Sequence, residues 1–400
     1  MRKQSLSAAL ALCCALLPAA AGAQTKVKVG ILNDQSGVYA DTSGPGSVVS
    51  AQIAIEEFRA AHPSIQVDLV SADHQNKPDL GSAIVRRWFD TENVDAIADL
   101  QNSAVALAVQ NVAKESKKVS IVTGAVTPDL TGKGCSPTGI TWAMDAYSLA
   151  TGPVQALADK KKWFFMTVDL AGGHLFEGEG SAAVQAAGGQ VVGRVRHPLG
   201  TPDMSSYLLQ AQSSGANVIG LANAGGDAIN SIKGAAEFGL RDQGISMSPL
   251  LFFETDIKAV GLQLTQGMVI GTGFYWDLSD RTRAFAKVFA ERFRQRMPTQ
   301  YQASVYASVR HYLNAVAAAG TTESGAVIAK MREMPADYFS DTKAVVRPDG
   351  RVVYDIHVMQ VKTPAESKSE WDLLKVVRTI PAEKAFRTFD QTACPLVKKG

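Results

Sequence analysis

Short apolar runs alternate along this chain with segments whose apolar positions recur every three or four residues. That alternation of strand and helix patterns predicts an α/β fold. Residues 27–33 read as a strand, followed by a polar, glycine-rich loop to Gly46. Val48, Ala51, Ile55 and Phe58 then mark one buried helix face. Residues 65–72 give a second strand, and residues 79–89 a helix with Ala83, Ile84 and Trp88 inward. A third strand at 94–98 ends in Asp99-Leu100-Gln101-Asn102-Ser103. Val105, Val109 and Val112 define the helix after it, and 119–122 the next strand. Gly124 opens a loop in which Thr127-Pro128 has the form of a helix cap followed by a first-turn proline. In a parallel sheet, the loops after 94–98 and 119–122 leave the carboxyl ends of their strands. Ligands of open α/β sheets bind there.

Residues 139–144 carry the chain out of this first unit, and the alternation then restarts. A strand at 163–168 leads through Asp169-Leu170-Ala171-Gly172-Gly173-His174 into a helix stopped by Gly188-Gly189. Residues 191–195 and 218–222 read as strands, with a helix at 205–212 between them. Asn223-Ala224-Gly225-Gly226 opens a further helix ending at Gly239. A strand is expected at 250–253, ending in Glu254-Thr255-Asp256, and another at 268–274. Helices follow at 281–296, 301–319 and 324–334, then a hairpin of strands at 351–361 and 371–380. Two α/β units thus stand in tandem, with a helical section returning to the first.

A length of 400 residues allows two domains, and 46% hydrophobic with 20% charged residues excludes a disordered chain. The first residues change the picture. Arg2 and Lys3, an apolar core over 6–17 and Ala21-Gly22-Ala23 form a secretory signal peptide cleaved after Ala23. Leu12 before Cys13 does not suit a lipoprotein, so soluble release to the periplasm is expected. Removing Arg2 and Lys3 leaves 38 of the 40 cations against 38 acids, so nothing suggests a nucleic-acid partner or direct membrane insertion. Cys135 and Cys394 survive processing, and an oxidising compartment favours a disulfide between them. There is no G-x-S-x-G elbow and no phosphate loop, and Gly132 and Gly134 complete no dinucleotide fingerprint. The 6 histidines show no metal-ligand spacing. No catalytic residue, cofactor or metal site is predicted.

VKVGILNDQSGVYADTSG with AIEEF after it, VDAIADLQNS, IVTGAVTPDLT and the stretch GTPDMSSYLLQAQ to AAEFGL resemble the type I periplasmic binding proteins of ABC importers. The branched-chain amino acid-binding family is the group concerned. The resemblance covers nearly all of the mature chain. It implies two doubly wound parallel-sheet lobes joined by a three-crossing hinge, with the ligand in the cleft between them. The N-terminal lobe is expected over 25–144 plus 277–348, and the other over 145–276 plus 349–400. The implied role is periplasmic capture of a small carboxylate by a monomer, with delivery to a membrane permease and no enzyme activity. Presentation of the ligand to a receptor kinase is the alternative.

Site residues carry over position by position. Ser103, beside Asn102, stands where the family holds a ligand carboxylate. Gly124, Ala125 and Val126 offer backbone groups in the second loop. Val126 replaces a threonine of the amino-acid binders; Thr127 either substitutes for its hydroxyl or caps its helix. In the second lobe Leu170 to His174 and Ala224 stand where amino-acid binders commonly offer tyrosines, and Gly173, His174 and Asn223 are the candidate contacts there. His174 either hydrogen-bonds the ligand or caps its helix. Glu254 is near the family's ammonium-binding acid, with Thr255 and Asp256 competing for the place. Tyr39 is expected to reach the cleft, and Tyr275, between Phe274 and Trp276, either stacks on a flat ligand or packs in the hinge. MPTQYQASVYASVRHYL and the GTGFYWDLSD region resemble binders of aromatic and other carboxylic acids. An aromatic acid is therefore the expected ligand, with a branched-chain or other amino acid or amide as the alternative.

Overall fold

The computed structural model describes residues 25–340 and 342–397; the expected signal peptide lies outside them. The first lobe is built from β1 (Thr25–Asn33), α1 (Gly44–Ala61), β2 (Ile65–Asp73), α2 (Pro78–Thr91), β3 (Ala96–Asp99), α3 (Ser103–Glu115), β4 (Val119–Val122) and β5 (Gly139–Thr141). Its sheet is parallel throughout, in the order β2-β1-β3-β4-β5. Helices cover both faces of such a sheet, so every residue of β3 and β4 is buried and polar alternation disappears. Residues 139–141, expected only to leave this unit, are its edge strand, paired with β4.

The second lobe begins with α4 (Ala146–Ala156) and continues through β6 (Lys162–Val168), α5 (Ala171–Ala186), β7 (Gln190–His197), α6 (Ser205–Ser213), β8 (Val218–Ala222), α7 (Gly226–Glu237) and β9 (Ser246–Pro249). Its parallel sheet has the order β7-β6-β8-β9. Three departures from the sequence reading matter. Helix α4 was not anticipated, because Pro153 sits inside it; Asp145 caps its start by accepting from Ser148 N at 3.0 Å. The strand expected at 250–253 is displaced to β9. Leu250 N still donates to Leu221 O of β8 at 3.1 Å, but residues 251–253 are apolar because they are buried, and periodicity does not separate burial from pairing. Helix α5 starts at Ala171, so Gly172, Gly173 and His174 belong to its first turn, not to a loop.

After β9 come α8 (Glu254–Val260), α9 (Leu262–Thr265) and β10 (Val269–Thr272). Helices α10 (Asp280–Arg292), α11 (Gln300–Ala319) and α12 (Ser324–Glu333) return to the first lobe, with α10 and α11 against α1. The single strand expected at 351–361 is two, β12 (Val352–Val353) after its antiparallel partner β11 (Val345–Val346), and β13 (Ile356–Val361). β13 pairs with both β10 and β14 (Leu374–Ile380) in an antiparallel sheet.

Segments 142–145, 273–279 and 347–355 run between the lobes, and the chain crosses once more after β14, so its end, expected in the second lobe with 349–400, lies on the first. Buried Arg351 binds two groups of the first segment, donating to Ala143 O and, at 3.0 Å, to Asp145 Oδ2. Tyr354 OH donates to Trp142 O at 2.7 Å. Gln300 Oε1 accepts from Gly273 N of the second crossing at 3.0 Å. After β14 the chain comes back to the first lobe. Thr392 Oγ1 donates to Thr131 O at 2.7 Å, and a disulfide joins Cys135 to Cys394 with Cα atoms 5.6 Å apart.

Candidate ligand-binding site

The two lobes enclose a cavity of about 210 Å³ at the carboxyl ends of β1, β3, β4, β6 and β8. The turn after β3 brings Gln101, Asn102 and Ser103 to its wall. That turn is strained: Asp99 and Leu100 take φ values of +88° and +64°. Side chains this bulky reach the left-handed region only at an expense of about 1–3 kcal/mol each, met by surrounding contacts. Here Leu100 N donates to Leu32 O at 3.1 Å. The Asp99 carboxylate accepts from Asn33 Nδ2 at 2.8 Å and Thr123 Oγ1 at 3.0 Å. These bonds tie the ends of β1, β3 and β4 together. Burial pushes Asp99 up to about 6, against the pull of those hydrogen bonds.

Gly124 is required by the next turn. A Cβ there would lie 2.7 Å from Gln101 Cβ and 2.9 Å from its Cα. Asn102 caps α3, its Oδ1 accepting from Ala104 N at 3.0 Å and Val105 N at 3.2 Å. The Ser103 hydroxyl has no partner among the described residues. Across the cavity, Leu170 supplies no side-chain cap to α5, so N–H groups of that first turn are open to a ligand. Gly172 faces Ser103 and Val126; a Cβ on it would stand 3.4 Å from Ser103 Oγ and 3.5 Å from Val126 Cγ2. Gly173 allows the helix to start there, since its Cβ would fall 2.1 Å from Val168 O.

Of the residues expected at the site, Tyr39, Asn102, Ser103, Gly124, Val126, Gly173 and Asn223 line this cavity. Ala125 is buried and outside its walls. Thr127 caps a short 3-10 turn, accepting from Asp129 N at 3.2 Å. His174 is half exposed and meets Asp169 at 2.7 Å. Tyr275 packs in an apolar cluster that holds no wall residue of the cavity, its OH donating to Trp371 O at 3.0 Å. Glu254 is buried beside the cavity residue Phe253 in sequence without lining the cavity itself, and burial pushes it up to about 8. The sequence reading missed Gln101, Leu170, Phe176, Phe253 and Tyr301, all wall residues. Tyr301 comes from α11, and its ring meets Phe253 at 4.8 Å. Gln101 lies beside buried His74, which burial pushes down to about 4.

Among the described residues, no Asp, Glu, Lys, Arg or His lines the cavity. Its chemistry is therefore that of apolar walls, amide and hydroxyl groups, and two helix starts. The first-lobe loop also reaches over to the second lobe, where Val38 O accepts from Gly226 N at 3.5 Å. The fold, the crevice and this closure agree with a match over residues 26–368 to the periplasmic binding protein family. The chain belongs to that family. It is a family of binding proteins.

A periplasmic binding protein from Burkholderia mallei superposes with a TM-score of 0.89 at 42% identity, over 94% of this chain and 100% of that one. A structure described as a branched chain amino acid ABC transporter periplasmic ligand-binding protein, from Burkholderia xenovorans, gives 0.81 at 40% identity, over 92% and 99%. Leu/Ile/Val-binding protein homolog 6 of Brucella melitensis is 27% identical over 61% of this chain. That match spans 64% of the relative's length.

Proposed function

We propose that this chain is the periplasmic substrate-binding component of an ABC importer and that it captures a small aromatic carboxylic acid. It acts as a monomer, closes on its ligand, hands it unchanged to a membrane permease, and performs no chemistry. One observation carries the choice of ligand: apolar and aromatic walls, an uncapped helix start opposite Ser103, and no charged side chain among the lining groups. A carboxylate is matched there by helix N–H groups and the Ser103 hydroxyl. An ammonium group is not, because no carboxylate lines the cavity and a buried, unpaired cation is expensive. A volume of about 210 Å³ suits one ring.

Likeness to the branched chain amino acid ABC transporter ligand-binding protein of Burkholderia xenovorans supports a second reading, a branched-chain amino acid. Thermal unfolding with aromatic acids, aliphatic acids and amino acids separates the two, since a ligand of the folded state raises the melting temperature. Aromatic acids are expected to give the largest rise. A larger rise with leucine, isoleucine or valine overturns the aromatic reading.

A further inference from the structure

We infer that the ligand carries a hydroxyl group in addition to its carboxylate, and that Asn223 Oδ1 accepts the hydroxyl proton. The inference rests on the aromatic-acid reading above and adds a specificity-determining residue to it. Asn223 lies at the end of β8, is 2% exposed and lines the cavity. The orientation of its amide follows from its neighbours. His197 Nδ1 is 2.9 Å from Pro198 O, which only accepts, so Nδ1 holds the ring proton and Nε2 of the neutral ring is an acceptor. Ser231 gives its proton to Asp227 O at 2.7 Å, so its oxygen is also an acceptor. Asn223 stands 3.0 Å from His197 Nε2 and 3.3 Å from Ser231 Oγ. Both positions call for the amide NH₂, and Nδ2 supplies it. Oδ1 is thereby turned away from both, buried and without a partner among the described residues.

A buried carbonyl oxygen needs a donor, and leaving it unmatched on ligand closure weakens binding. A carboxylate at neutral pH has no proton to give. A solute that is only a ring and a carboxylate therefore leaves Asn223 unsatisfied. Other wall groups without a partner among the described residues are the Gln101 amide and the Ser103 and Tyr301 hydroxyls. Each of them can donate as well as accept, so either oxygen-bearing group of such a ligand satisfies it. Asn223, whose amide is held by its neighbours with the oxygen left over, is the group that discriminates. A site built to pair a substrate hydroxyl rejects the analogue without it far more strongly than an apolar pocket rejects a missing methylene.

The test is calorimetric titration of the full mature chain with benzoate, the three monohydroxybenzoates and the matching fluorobenzoates, which resemble them in size and lack the donor. The best hydroxy isomer is expected to bind at least about tenfold more tightly than benzoate and than its fluoro counterpart. Asn223→Ala is expected to erase most of that ratio. Equal affinities across the wild-type series overturn the inference and leave the aromatic-acid reading standing. So does a ratio that survives in Asn223→Ala. Failure of every aromatic acid to bind overturns both. Should Asn223→Ala not fold, the wild-type series decides alone.

Discussion

Replacing Gly172 by alanine should move stability and affinity in opposite directions. Gly172 is the second residue of α5 and has a negative φ, so a methyl group meets no backbone strain. The added Cβ falls 3.4 Å from Ser103 Oγ and 3.5 Å from Val126 Cγ2, ordinary contact distances, so the closed lobes accommodate it. Gly→Ala in a helix is worth about 0.5–1 kcal/mol through the unfolded chain, and the free protein should gain up to that amount. The same methyl covers the Ser103 hydroxyl and the open α5 turn. If a carboxylate sits there, the variant loses a hydrogen bond in a buried site, about 1–3 kcal/mol, or roughly 5- to 150-fold in Kd. Urea unfolding of the free protein and calorimetric titration with the best aromatic acid measure the two effects separately. Ser103→Ala, which removes the hydroxyl without adding bulk, should weaken binding by a similar amount. Unchanged affinity in both variants would mean that the carboxylate is held elsewhere and would refute the argument. Lower stability in Gly172→Ala would instead contradict the contact distances.

Two further predictions concern stability. Burial raises Glu254 from 4.5 to about 8, so the folded chain holds a proton there that the unfolded chain has released. Stability from this group is present below about 4.5 and falls as pH rises towards 8. Glu254→Gln should flatten the decline between these values by about one proton's worth, measured by urea unfolding across the range; an unaltered slope rejects the assignment. Asp256 and Asp99, raised in the same sense to about 7 and about 6, leave part of the slope in place. Reduction of Cys135–Cys394 should lower stability by about 2–5 kcal/mol, and a thiol titration of the unreduced, denatured protein should find none free; a reactive thiol disproves the bond.

The fold was legible where burial and periodicity agree. The β4 limits, 119–122, and the β8 limits, 218–222, follow from short runs that are mostly apolar, broken only by Ser120 and Gly220. It was illegible where a local rule is overridden. Pro153 argues against a helix, yet the buried face of Leu149, Ala150 and Val154 holds α4 against the second lobe. Residues 250–253 carry a strand's composition because they are buried near the cavity. At the site, the turn after β3 could be anticipated from Asp99–Ser103, since a polar cluster follows an apolar strand. Tyr301 could not. It is 198 residues from Ser103 in sequence, and within α11 it reads as one more core aromatic. Nor does sequence reveal the orientation of Asn223, which depends on a tautomer fixed by Pro198 and a hydroxyl fixed by Asp227.

The bond between Cys135 and Cys394 makes most of the molecule a closed ring of chain, with 259 positions separating its two ends. A protease that cuts any loop between them produces no separate fragments. The nicked protein keeps its mass and migrates as one species until a reductant is added, so digestion maps of this chain are readable only after reduction.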